Sequence, residues 1–100
     1  MSNGRGVLTR VVQDVAMVQL GREITPRELR LMPYIQYCMM NNQRIDPNRV
    51  NSEERDILQS WRQLGYIEGG AGGLSITKEF WDQINQILWQ AYVDYRADPQ

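Results

Sequence analysis

The sequence predicts a mainly α fold of four to five helices carrying one short β-hairpin. Three observations support this. Apolar residues recur at helical spacing in four separate stretches, each bracketed by capping residues or glycine. Two short β-prone runs flank a glycine-rich tip. The chain has 100 residues, 42% hydrophobic and 23% charged, a size and composition that suit one globular domain. Residues 1–100 are therefore expected to form a single domain, with 1–5 and 97–100 frayed at its ends.

The first helix is predicted from Val7 to Leu20, with Gly21 closing it. Val7, Leu8, Val11, Val12, Val15 and Val18 share one stripe, opposite Arg10, Gln13 and Met17. Its valines lower helical propensity and leave a strand as the alternative, but the width of the stripe favours a helix packed on a neighbour. The second helix has the clearest start: Thr25 at N-cap, Pro26 at N1 and Glu28 at N3 form a capping box. Leu29, Leu31, Met32, Ile35, Cys38 and Met39 continue it to Asn41–Asn42 and surround it almost completely, as expected of a central helix. Pro33 lies inside it, and an interior proline costs about 3 kcal/mol, so a kink or a break into two pieces is expected there.

Residues 43–50 form a connection in which Asp46 and Pro47 open a single helical turn ending at Val50. Asn51 and Glu54 then cap a third helix that ends near Leu64, with Ile57, Leu58, Trp61 and Leu64 on one narrow face and Gly65 beyond it. Tyr66–Glu68 and Leu74–Ile76 read as the two strands of the hairpin around Gly69–Gly73. That glycine tip is not a phosphate loop, because no Gly-Lys-Ser/Thr follows it. Thr77 caps the last and longest helix, and Ile76 is placed to staple onto Trp81. Phe80, Trp81, Ile84, Ile87, Leu88, Ala91, Tyr92 and Tyr95 fill about 140° of its wheel, a core face rather than the lining of a ligand cavity.

Composition removes several kinds of chemistry. The chain has no His and one Cys, so a structural zinc site lacks ligands and Ser-His or Cys-His catalysis lacks its base. No acid-rich loop has calcium-binding spacing. No metal, no cofactor and no enzymatic activity are expected. Cys38 lies in an apolar run and reads as a buried thiol; it has no intrachain disulfide partner, which fits a reducing compartment. No apolar stretch reaches the roughly 18 residues of a membrane span. The opening residues lack the arrangement of a signal peptide. A cytoplasmic protein, bacterial or from a phage, is the expectation.

Charge is unevenly divided. Residues 1–50 carry a net +3, with seven Arg, and residues 51–100 a net −4. The plain reading is solvated helix faces with local ion pairs.

Leu64-Gly65-Tyr66-Ile67, the glycine tip, and Leu74-Ser75-Ile76-Thr77 leading into a helix resemble the second half of a winged-helix domain, as found in transcription regulators. Ile24-Thr25-Pro26-Arg27-Glu28-Leu29 is similar to an opening of the first core helix of such domains, so the resemblance spans about residues 24–95. It implies a DNA-binding role and a dimerising C-terminal helix. The middle helix of the helix-turn-helix is truncated, because only Arg44–Val50 is available for it.

Charge placement opposes the DNA role. The would-be recognition helix begins Glu53-Glu54-Arg55-Asp56, and the wing carries Glu68 with no Lys or Arg, whereas DNA affinity comes from cations set against phosphates. The expected function is therefore a non-catalytic protein-interaction or self-associating module. Trp89, Val93 and Arg96 are the candidate contacts for a protein partner or a second copy: they lie on the face of the last helix opposite its core stripe, beside Asp82 and Gln86, and Trp is enriched at binding hot spots. A first helix laid over that face would make it core instead. The alternative is a DNA-binding regulator using Arg44, Arg49, Arg55 and Arg62.

Overall fold

Thr9, Thr25, Asn51 and Thr77 each accept a hydrogen bond from the backbone N–H three residues on, and each starts a helix. The computed structural model describes residues 6–70 and 72–94. Within them α1 spans Arg10–Leu20, α2 Pro26–Met40, α3 Ser52–Gln63 and α4 Lys78–Leu88, and β1 (Ile67–Gly70) pairs antiparallel with β2 (Gly73–Ile76). The result is a mainly α fold with one hairpin, compatible in general terms with a winged-helix-like arrangement. Arg5, Tyr95, Arg96 and both predicted frayed ends lie outside the described residues.

α1 begins three residues later than its valine pattern suggests, because the Thr9 hydroxyl accepts the Val12 N–H at 3.2 Å and fixes the first turn there. It ends at Gly21, whose φ of 77° suits a residue without Cβ. The Gln13 amide then ties α1 to the start of α2, donating to the Ile24 carbonyl at 2.7 Å and accepting the Ile24 N–H at 2.9 Å.

α2 runs unbroken through Pro33, so the expected division into two pieces does not occur. The proline removes one hydrogen bond and costs about 3 kcal/mol in isolation. Leu29, Leu31, Met32 and Ile35 around it are all buried. Each contributes roughly 1.5–3 kcal/mol, so packing outweighs the proline. A single 3-10 turn, Pro47–Arg49, follows, capped by the Asp46 carboxylate and anchored by buried Ile45 and Val50. This turn is all that stands in place of a middle helix.

Of the face predicted for α3, Leu58 and Trp61 are buried and Ile57 partly so, but Leu64 is exposed. Leu64 is already the C-cap, and Gly65 at φ 80° turns the chain away before that side chain reaches the core. In the hairpin Ile67 faces Ile76, both buried, and the ladder extends outward to the pair Gly70–Gly73. Gly69, Gly70 and Gly73 are thus strand residues, and the tip is shorter than the glycine run suggests.

α4 does not continue as one regular helix. From Trp89 to Val93 it widens into a π-helical turn, in which the Asp94 N–H donates to the Trp89 carbonyl at 2.8 Å. The Ala91 carbonyl in that turn accepts the Gly6 N–H at 2.8 Å. At the other end Gln83 donates to the Gln19 carbonyl at 2.7 Å, so α1 lies antiparallel along α4. Trp61 meets Phe80 edge-on at 5.3 Å, and Tyr66 stacks on Phe80 at 4.3 Å. One contiguous cluster of buried side chains joins all four helices and the hairpin.

Candidate functional site

The antiparallel pairing of α1 and α4 decides which apolar residues stay outside the core. On α1 only Val12 and Ala16 are fully buried; Val11 and Val15 are half-buried, Val7 is exposed, and Val18 is 80% exposed. The valine stripe is wider than the surface α4 offers, so its outer edge remains in solvent. On α4, Trp89 is 58% and Val93 56% exposed. α1 packs beside this face without covering it, which settles the position of Trp89 on the surface.

Between the two helices runs an open groove of about 290 Å³ lined by Val11, Asp14, Val15, Val18, Gln19 and Gln86. Trp89 stands one turn beyond Gln86 on the same side of α4. The face therefore presents an aromatic projection next to a valine-lined depression. Of the three residues read from the sequence as contacts, Trp89 and Val93 share this surface, and Arg96 lies outside the described residues.

The arginines of the alternative reading divide between two places. Arg44 lines a recess with Cys38, Met39 and Leu74. Arg55 and Arg62 lie two turns apart on one side of α3 and flank an apolar pocket of about 300 Å³ formed by Ile45, Pro47, Val50 and Leu58. Arg49 is exposed on the adjoining turn. Arg55 donates to the Val50 carbonyl at 3.0 Å, and Arg62 donates through Nε to the Gly69 carbonyl at 2.7 Å.

The acids at the start of α3 do not share that side. Glu53 and Glu54 both approach Arg27 of α2, at 3.6 and 3.8 Å, and Glu54 also accepts the Asn51 N–H. Read along the sequence, these acids oppose the phosphates of DNA. The fold pairs them with Arg27, and they do not oppose Arg55 and Arg62. The spacing Arg55–Leu58–Gln59–Arg62 was a visible signal for the basic side, but its pocket needs a wall from residues 45–50 that only the tertiary fold supplies.

Among the described residues two groups have shifted acidities, and both are structural. Arg22 hydrogen-bonds Glu28 with both terminal nitrogens, which raises the guanidinium pKa above its ordinary value. Burial raises the Tyr34 phenol, against the opposing effect of the Asp46 N–H donated to its oxygen at 3.0 Å. Among the described residues no group of three or more Cys, Asp or Glu side chains is placed to hold a metal ion, and no helix is long and apolar enough to cross a membrane. No protein-family model, curated protein or solved structure gives a significant match to this chain.

Proposed function

We propose that this chain is a non-catalytic interaction module on a winged-helix-like scaffold, and that it pairs with a second copy of itself through the face shared by α1 and α4. The observation that carries this reading is the coexistence, on one face, of the exposed Trp89 and the groove lined by Val11, Val15 and Val18. A two-fold contact requires a surface complementary to itself. A projecting aromatic ring beside a depression meets that requirement: each Trp89 enters the groove of the other copy, and Val18 and Val93 are covered at the same time. Trp in such a setting is a typical anchor of an interface.

Sedimentation velocity across a micromolar concentration range tests the proposal. The wild-type chain is expected to show a reversible monomer–dimer equilibrium. Trp89→Ala and Val18→Asp are expected to remain monomeric with unchanged circular dichroism, since both side chains are outside the core. A wild-type chain that stays monomeric throughout, or a Trp89→Ala dimer as tight as wild type, overturns it.

A further inference from the structure

We infer that the pocket between the Pro47–Arg49 turn and α3 binds an acidic peptide segment of a partner protein, taking one large apolar side chain between Arg55 and Arg62. The floor of the pocket is rigid, because Ile45, Val50 and Leu58 also belong to the core cluster. Its rim is cationic and held in place: the Val50 carbonyl fixes Arg55 and the Gly69 carbonyl fixes Arg62. Each guanidinium keeps further N–H donors, and this group matches carboxylates in geometry.

The pairing pattern of the arginines points the same way. Arg10, Arg22 and Arg27 each have a carboxylate partner. Among the described residues no carboxylate is paired with Arg55 or Arg62, nor with Arg30, Arg44 or Arg49, and of these five Arg55 and Arg62 flank the apolar pocket. Positive charge is thus left uncompensated around an apolar depression. The complementary ligand has an apolar centre with acids on either side.

Spacing narrows the ligand further. Arg55 and Arg62 are seven residues apart on a helix, about 10 Å along its axis. An extended peptide covers that distance in about three residues, which places one acid on each side of a central apolar residue. A nucleic acid fits less well. Sugar and phosphate leave the apolar floor unfilled, and Arg49, Arg55 and Arg62 are few cations beside the 6–10 phosphate contacts of a typical DNA-binding protein.

Fluorescence anisotropy with a labelled peptide tests this, the probe having a central Leu flanked by two Glu on each side. Three controls accompany it: the same peptide with Leu→Ala, the same with all Glu→Gln, and a labelled 20-base-pair duplex. The wild-type chain is expected to bind the probe saturably, and each altered peptide about tenfold or more weakly. Arg55→Gln/Arg62→Gln is expected to weaken binding by at least about tenfold. Gln59→Glu, an exposed change at the rim that leaves the core intact, is expected to do the same. Trp89→Ala is expected to leave peptide affinity unchanged, which separates this site from the self-association face. Absence of saturable probe binding overturns the inference, as does equal affinity for the Leu→Ala peptide, or tight duplex binding that the probe does not displace.

Discussion

Glu28 holds Arg22 through both carboxylate oxygens, at 3.1 and 2.7 Å, while Oε1 also accepts the Thr25 N–H at 2.9 Å. One residue therefore completes the capping box of α2 and ties down the loop between α1 and α2. It does so while only 7% exposed. Glu28→Gln keeps the shape but removes the charge, leaving Arg22 without its partner. A loss of about 1–3 kcal/mol is expected. It should appear as a lower urea midpoint with an unchanged slope. Because Arg22 is held in its charged form, adding base below the range of arginine titration should not mimic the substitution.

Tyr34 makes one contribution to stability that is lost at alkaline pH. Its phenol lies above the ordinary value of 10.0 because burial disfavours the phenolate. The folded state therefore holds this proton more tightly than the unfolded chain. Stability from Tyr34 is fully present below the unfolded pKa near 10 and is lost as pH rises through the folded one. Tyr34→Phe has no such proton. The difference in stability between wild type and Tyr34→Phe, measured in urea from pH 8 to pH 11.5, should be flat up to about pH 9.5 and then shift in favour of the variant. A difference that stays flat to the highest pH defeats this account.

The parts of the fold visible in the sequence are those set by neighbouring residues. Thr25 and Glu28, like Asn51 and Glu54, form their capping boxes within three residues, and Asp46–Pro47 opens its turn from two. The hairpin itself is legible from two β-prone runs around glycines, but its register, Ile67 facing Ile76, is not. What was not legible depends on packing between elements. The α1 valines have one period, but how many are covered depends on the width of α4. The π-helical turn at Trp89–Val93 is a shift of backbone hydrogen bonds, to which a side-chain wheel is blind. Glu53 and Glu54 find Arg27 only because α2 and α3 meet, so that pairing is not legible from α3 alone. Trp89 and Val93 were readable as an outward pair because α4 carries its own complete core stripe.

The indole N–H of Trp61 is buried with no hydrogen-bond partner among the described residues. An unsatisfied buried donor costs about 1–3 kcal/mol. Trp61→Phe removes that donor along with part of the ring, and a phenyl group can keep the edge contact with Phe80. The two effects oppose each other, and the variant is expected within about 1.5 kcal/mol of wild type. Trp61→Ala has no such compensation and should lose about 3–5 kcal/mol. Denaturant melts of the two variants check this. A Trp61→Phe loss as large as that of Trp61→Ala would show that lost ring volume outweighs relief of the unpaired donor.

Two glycines of the hairpin make a matched pair. Gly69 has φ of 77°, and a Cβ there would overlap the Gly73 carbonyl oxygen across the ladder. Gly72 has no atom near its would-be Cβ and no positive φ. Gly69→Ala is therefore expected to destabilise by about 1–3 kcal/mol through strain at this backbone conformation. Gly72→Ala is expected to be neutral or to stabilise by up to about 1 kcal/mol, because it restricts the unfolded chain. At roughly 4–8 °C per kcal/mol for a domain of this size, thermal melts separate the two clearly. The Gly69 carbonyl is also the acceptor that holds Arg62 in place. Gly69→Ala should thus weaken the acidic probe peptide at temperatures where the variant is still fully folded, while Gly72→Ala leaves its affinity unchanged. Equal peptide affinity for the two variants would show that the hairpin does not set the position of Arg62.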